Sequence, residues 1–450
     1  MKATIQFFAP SLPQKVVVFA ALFMCAGYAQ AQEKADILSL KQSIQLALEL
    51  SPEMKVAQAQ LGIEQAKISQ AGTWANPNVS LQADNVLGIE DASGGYDFTE
   101  LAVSQAIPVF QAAKQQKQAE LGAAKAQAMY QQQQLQLEFT ISQSFYDLQM
   151  KQAVLDLSKE RLFEIRQHQR SNAKNNDPLV RYLSPLEVMR LDIELQTAKQ
   201  QLSKAEGLYH EALLSFKALL GLPSTQAIVL PKLKPVVMPY TQTMLDSALA
   251  QHPALRSRQQ AIAEAEAGIA VAQASRYADP VVTLFVRNEF LAGQRDTVTG
   301  LIVSMDVPLW NQNQGGVNQA KYSVQQNHAD LQATQRDLQA GVEKSFLHVG
   351  HLTEQAKHYQ TKVLKPAHKL LRLTHRSFDA GEVSVLNLID AYNTLFDAQT
   401  VYIQMLAEAW QELALLRLNA GLSYIGYTQA KPSLESELKQ PQTEQQETSQ

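Results

Sequence analysis

Val103-Ser104-Gln105-Ala106-Ile107-Pro108 returns two hundred residues later as Val303-Ser304-Met305-Asp306-Val307-Pro308. Each stretch alternates apolar and small or polar side chains and then stops at a proline, which fits a strand and its end. The same offset recurs far from these strands. Ser184 and Leu186 come back as Ser384 and Leu386, and Gly221-Leu222 as Gly421-Leu422. Toward the N-terminus the register drifts slightly, with Pro52 matching Pro253 and Pro77 matching Pro280. Solenoid repeats run roughly 20 to 50 residues, so a unit this long implies one module built from two similar halves.

Each half carries two alternating segments. In the first, Val79, Leu81 and Ala83 alternate with Ser80, Gln82 and Asp84, and Leu101, Val103 and Ile107 share one face of the next strand. A turn-rich stretch, Gly88 to Asp97, separates them. In the second half Leu301, Val303, Met305 and Val307 line one face, and a tip between Phe290 and Thr297 holds Gly293 and Asp296. Period-two patterning over about ten residues suits a membrane barrel strand facing lipid. It suits a soluble sheet equally, and four strands are too few to close a barrel, which needs about eight. Phe110 and Trp310, just past the strand-ending prolines, are placed to be interfacial aromatics.

The remaining pattern is helical. Gln111 to Asn172 holds no proline and a single glycine, Gly122, so it reads as one helix. Some 60 residues at 1.5 Å each give a rod of roughly 90 Å. The second copy, Gly316 to Phe378, contains Pro366, which should kink or interrupt it. The return helices carry a coiled-coil seam at steps of three and four. It runs through Val188, Leu191, Leu195, Ala198, Leu202, Ala205, Tyr209, Leu213, Phe216 and Leu220, and again through Leu388, Ala391, Leu395, Ala398, Tyr402, Met405, Ala409, Leu413, Leu416 and Ala420. Shorter amphipathic helices open each half around Leu40–Ile44–Ala47–Leu48 and Met244–Ala248–Leu249.

The first residues read as a secretory signal. Lys2 and Lys15 precede an apolar run from Val16 to Ala26, and Ala29-Gln30-Ala31 offers a cleavage site. Cleavage after Ala31 would remove Cys25, the one cysteine, and take the formal charge from -4 to -6. That excludes disulfides and gives nucleic acid no reason to bind. The expected division is a signal over 1–31, a first repeat over 32–222 with its hairpin at 78–107, and a proline-rich linker over 223–240. A second repeat over 241–425 follows, with its hairpin at 281–307, and then a polar, disordered tail over 426–450. No nucleophile–base pair, phosphate loop or carboxylate pair stands out, so neither enzymatic activity nor a cofactor is expected. His348, His351 and His358 are spaced so that two could meet on a metal, but a wide aqueous duct has no use for tight binding, and no metal site is assigned.

Taken together, the twofold repeat of helix, strand, strand, long helix and return helix resembles the TolC-like outer-membrane efflux proteins from about Leu38 to Gly421. Its sharpest pieces are Asp306-Val-Pro-Leu-Trp-Asn-Gln-Asn-Gln-Gly-Gly316, Ala380-Gly-Glu-Val-Ser-Val-Leu-Asn-Leu-Ile-Asp-Ala391 and Ala75-Asn-Pro-Asn-Val-Ser80. These look most like the heavy-metal, CzcC-like branch. The resemblance implies a mainly α chain with a small β part, forming a long coiled-coil α-barrel continuous with a transmembrane β-barrel. Three chains would give four strands each to that barrel as a homotrimer in outer-membrane lipid. A periplasmic adaptor (membrane fusion protein) and an inner-membrane resistance-nodulation-division pump would be its partners. The resemblance also places a gate at the helical tip of the second repeat. Gly381 matches the tip glycine, Asp390 one of two acidic positions and Asn387 the other; Glu187, Arg190 and Arg181 are the first-repeat equivalents. Asp390 could form a cation-attracting ring or a structural pair with Arg190. The residues themselves leave open a duct for drugs or secreted proteins, and a periplasmic coiled-coil scaffold.

Overall fold

The computed structural model describes residues 37–84, 98–174, 184–291 and 294–427. The signal with Ala29 and Ala31, the Gly88–Asp97 stretch, Arg181, and the tail from residue 428 lie outside the described residues. Element order is α1 Leu40–Leu50, α2 Pro52–Ala71, β1 Asn78–Asp84, β2 Phe98–Ala106, α3 Ala112–Lys174 and α4 Pro185–Leu219. The second half repeats it with α5 Gln242–Leu249, α6 Pro253–Ala274, β3 Val281–Leu291, β4 Gln294–Ser304, α7 Gln314–Tyr359, a π-helical turn Gln360–Leu364, α8 Lys365–Asp379 and α9 Val385–Ala420. The chain is thus mainly helical with one four-stranded antiparallel sheet.

The helices begin and end where local chemistry dictates. Ser39 and Ser184 each form a capping box, with Gln42 and Glu187. Ser51 and His252, equivalent residues of the two halves, cap the helices that begin at Pro52 and Pro253. Both return helices stop at a glycine in the left-handed region, Gly221 at φ 70° and Gly421 at φ 75°. There Leu222 N donates to Lys217 O at 2.9 Å and Leu422 N to Arg417 O at 2.8 Å.

The 63-residue α3 is continuous, about 95 Å long. Its counterpart is not. Pro366 has no N–H to donate to Lys362, and the chain widens into the π turn Gln360–Leu364 immediately ahead of it before α8 resumes.

The seam is buried at matching places in both return helices, Leu191, Leu195, Ala198 and Phe216 with Ala391, Leu395, Ala398 and Leu416, while Leu202, Tyr209, Leu213, Tyr402 and Met405 are half-buried. Val188 is the exception: one turn from the helix start, it is exposed. Linker residues 223–240 run extended across the helices and tie the halves together. Leu230 enters a cluster with Ile44, Phe145 and Phe216, while Val236 enters another with Leu245, Val342 and Leu416. Gln149 Nε2 donates to Pro231 O at 2.7 Å and Trp410 Nε1 to Lys234 O at 2.6 Å. At this same waist the buried carboxylate of Glu138 accepts from Ser423 Oγ at 2.6 Å and Tyr424 N at 2.7 Å, folding the segment after α9 back onto α3.

Candidate functional site

Two ends of the molecule carry the features a function must use, the sheet and the helical tip. Strand order is β1-β2-β3-β4, so β1 and β4 are both open edges within the chain. Register puts Val79 opposite Val103, Val103 opposite Leu284 and Leu284 opposite Leu301; Leu81, Leu101 and Val286 form a parallel row. Directly paired residues share a face, so these side chains make one continuous apolar surface. They are exposed, from 42% at Val103 to 73% at Leu81.

The other face is mixed, with bonded polar groups beside exposed Val298 and Ile302. Arg287 donates to Glu100 through Nε at 2.9 Å and Nη2 at 2.8 Å, and its guanidinium lies over the rings of Phe98 and Phe285. Ser104 and Thr283 share a hydroxyl hydrogen bond of 2.9 Å. Phe285 covers Gly300 so closely that a Cβ there would lie 2.3 Å from its ring. The charged pair and aromatic clamp thus lie on one face, and the longer row of exposed aliphatics lies on the other.

Placement of the strand residues needs three corrections. Leu101, Val103, Leu301 and Val303 lie within β2 and β4, whereas Ile107, Met305 and Val307 lie in the extended segments beyond the strand ends. The hairpin tip is shorter than the pattern of glycine and aspartate suggested. Phe290 pairs with Arg295 and Leu291 with Gln294, so Asp296 is a strand residue, while Gly293 lies outside the described residues. An aspartate near a bend can still pair within a strand, so composition alone does not mark where the strand ends. Beyond the sheet, Trp310 is 93% exposed, while Phe110 is half-buried against Tyr277, ring centroids 5.4 Å apart.

At the tip, Gly381 turns the chain at φ 77° and donates to Phe378 O at 2.9 Å. Glu187 accepts from Ser184 N and Oγ at 2.9 Å each. Ser384 Oγ donates to Asn387 Oδ1 at 2.8 Å. Glu187 and Asn387 therefore answer the serines at the starts of their helices. Asp390 and Arg190 are exposed, and among the described residues no ion pair joins them. On the same face of α9 as Asp390 lie Asn387, Thr394, Asp397, Gln404 and Glu408, all exposed. No Lys or Arg occurs between Val385 and Leu416.

The residue that ties the tip together is Arg161 of α3. It is buried, donates to Glu194 and Gln201 of α4 and to Asn393 of α9 at 2.6 Å, and stacks on Phe396 at 4.5 Å. Beside it Tyr392 donates to Glu164 at 3.5 Å; burial, then the Glu164 charge, pushes that phenol up to about 12. Sequence reasoning passed over Arg161, although an arginine on the apolar side of a long helix, between Ser158 and Leu162, was the available signal. His348 pairs with Glu412 at 3.3 Å and His375 with Asp379 at 2.9 Å. His351 and His358 are exposed, and among the described residues no three metal-binding side chains converge. Nor is any described helix long and apolar enough to cross a membrane.

Residues 244–422 match the protein family described as Outer membrane efflux protein. The fold agrees across nearly the whole chain. It superposes on the CusC channel with a TM-score of 0.68, covering 86% of this chain and 93% of that one at 17% identity. On CmeC of Campylobacter jejuni the TM-score is 0.67, with 97% of each chain covered at 14% identity, and on VceC of Vibrio cholerae 0.66, with 85% and 96% covered at 16% identity. The second half of the chain thus matches the outer membrane efflux protein family, and the whole described fold is similar to that of solved outer-membrane channels. Among curated relatives the chain is 22% identical over 230 residues to the cobalt-zinc-cadmium resistance protein CzcC of Cupriavidus metallidurans. That alignment spans 51% of this chain and 54% of the relative, about half of each.

Proposed function

We propose that this protein is the outer-membrane duct of a tripartite efflux system, conducting heavy-metal cations passively from an inner-membrane pump of the resistance-nodulation-division type and its periplasmic adaptor. Three chains join open edge to open edge, β4 of one against β1 of the next, into one barrel in outer-membrane lipid. The helices continue it as a tunnel into the periplasm, after removal of the signal at Ala31. The observation that carries this reading is the sheet: one bare apolar face, one face bearing the bonded polar groups, and two edges unpaired within the chain. Exposed edges invite strand pairing, and only a closed barrel satisfies every backbone group in lipid.

The choice of cations is supported by α9. Its exposed stripe holds Asp390, Asp397 and Glu408 and no basic residue, so three copies around an axis would stack acidic tiers that attract cations and repel anions. Asp390 and Gly381 belong to the constriction in this reading, while Glu187 and Asn387 shape its helix starts and Arg190 stands on the neighbouring hairpin. The partial likeness to a cobalt-zinc-cadmium resistance protein points the same way.

Purified mature protein in planar bilayers tests both parts. Discrete conductance with a reversal potential favouring cations is expected, and Asp390→Lys with Asp397→Lys should shift that potential toward anions. Conductance with unchanged selectivity in the double variant would remove the acidic lining and leave a duct of unspecified cargo. The matching cellular assay grows a deletion strain on graded zinc, cobalt and cadmium beside dyes and detergents; sensitivity confined to the latter would replace metals by drugs.

A further inference from the structure

Charge is sorted across the sheet. Register places Asp84, Glu289 and Asp296 in one row and Glu100 with Arg287 in the next, all on the face that carries Phe285 and Gly300. The opposite face, lined by Val79, Val103, Leu284 and Leu301, has one charged side chain among the described strand residues, Arg295. Arg295 is exposed, and among the described residues no carboxylate pairs with it. Every acid of the four strands stands on the other side of the wall.

The apolar face also changes character at one level. Leu81, Leu101, Val286 and Thr299 lie in one row, and two residues further from the helices the row reads Ala83, Thr99, Asn288 and Thr297. Asn288 and Thr297 are exposed, and Thr297 Oγ1 donates to Asn288 Oδ1 at 2.7 Å. That bond uses the amide oxygen, and among the described residues both N–H donors of Asn288 are unspent. Arg295 follows two residues beyond Thr297. Apolar wall, hydroxyl and amide row, and guanidinium thus succeed one another over about 13 Å along β4. An arginine on a lipid-facing wall is costly at mid-membrane and nearly free of cost at the boundary. Its planar fork matches a phosphate in bidentate geometry.

We infer that this rim is a binding surface for a phosphorylated glycolipid of the outward-facing leaflet. Arg295 takes the phosphate, and Thr99, Asn288 and Thr297 take the sugar hydroxyls beside it. The inference deepens the duct reading, and rests on it for the sheet's place in lipid. All four strands meet their helices at the opposite end, so the rim belongs to the leaflet farthest from the helices. An isolated phosphate ion would gain one guanidinium on an open wall, whereas a lipid also buries its chains against Leu81, Leu101 and Val286. A plain phospholipid offers the phosphate but no sugar for the hydroxyl and amide row. A second copy does not supply the anion. The strand it would lay beside β4 is β1, whose one acid, Asp84, stands on the other face.

The test uses the purified mature protein in nonionic-detergent micelles, with bound lipid counted by native mass spectrometry. The probes are bisphosphorylated lipid A, the same glycolipid without phosphate, and phosphatidylglycerol, with inorganic phosphate as competitor. The bisphosphorylated glycolipid should bind at least tenfold tighter than either other lipid. Arg295→Gln should weaken it tenfold or more, and Asn288→Ala with Thr297→Val threefold or more. Arg336→Gln, on α7, should leave it intact. Parent binding should also weaken as salt is raised, a reading that needs no variant. Unchanged binding in Arg295→Gln overturns the inference, as does indifference to salt or equal binding of the phosphate-free glycolipid. Phosphatidylglycerol bound as tightly overturns it in favour of a general anionic-lipid rim, and release by millimolar phosphate in favour of a free-anion site. Bilayer conductance is recorded on the same preparations. A parent that binds the glycolipid but never conducts sinks the duct and spares the rim, whereas conduction without preference for the phosphorylated lipid does the reverse.

Discussion

Residues 160–164 and 360–364 occupy matching places on the long helices of the two repeats, and they are built to opposite ends. In the first repeat the helix runs straight through, and Arg161 reaches inward to hold Glu194, Gln201 and Asn393. In the second the helix widens into a π turn ahead of Pro366, and Thr361 donates only to the backbone carbonyls of Lys357 and His358. The inward seam is nonetheless buried at matching places in both, from Leu191 and Ala391 to Phe216 and Leu416. Duplication kept what packs and let the polar positions specialise: one long helix bonds to its neighbours, and the other breaks register.

The sharpest way to break that contrast is Arg161→Ala. Removing one partner of a buried ion pair leaves the other charge stranded, at a cost of about 3–5 kcal/mol. The thermal midpoint should fall by several degrees, and Glu194→Gln in the same chain should recover part of the loss. Thr361→Ala, at the equivalent exposed position, should move the midpoint by less than one degree. Comparable shifts for both would show that the first-repeat bond holds nothing together.

A second comparison pairs Glu100 with Gly300, equivalents on β2 and β4. Glu100 binds Arg287, whereas Gly300 makes room for Phe285. Gly300→Val should therefore force the Phe285 ring aside, with an overpacking cost of about 1–3 kcal/mol. Heat-modified mobility in detergent would register it as earlier dissociation or unfolding. A variant as stable as the parent would mean the ring swings away freely.

The smallest effect lies in the helix caps. Ser51 and His252 do the same task, but only the histidine titrates. His252 Nδ1 accepts from Ala254 N at 3.0 Å, with Nε2 3.0 Å from Leu418 O. Burial holds its pKa below the ordinary 6.5, so the folded state resists a proton that the unfolded chain accepts. The stability due to the neutral ring is complete above about pH 6.5 and declines as pH falls from there through the folded value. Stability of the parent minus that of His252→Asn, a cap that does not titrate, should shrink as the pH is lowered from 7 to 5. A flat difference would show that the ring protonates without cost.

Much of the fold was legible because duplication supplied a second reading of each signal. Prolines, the Gly-Leu pairs and the three–four seam located strands, helix ends and burial in both halves. The π turn was only half visible, since Pro366 announces an interruption without saying how the helix absorbs it. The tip was less legible. Asp390 stood out by resemblance, but Arg161 acts through residues 33 to 232 positions away, and no local pattern encodes a bond over that distance. Nor could strand alternation tell that Met305 and Val307 outrun their strand, because extended backbone and paired backbone alternate alike.

The central pairing of the sheet joins the two repeats, β2 ending at residue 106 and β3 starting at residue 281. That makes the wall of the molecule a late event in its synthesis. The first hairpin emerges with both edges unmatched, and its β2 edge waits until the whole first bundle, the linker and two further helices have been made. Loop closure over such a span is slow, so the early hairpin is an aggregation hazard for as long as its partner is missing. A chaperone that shields exposed strands in transit would matter most in that interval, and slowing translation within residues 107–280 should lengthen it.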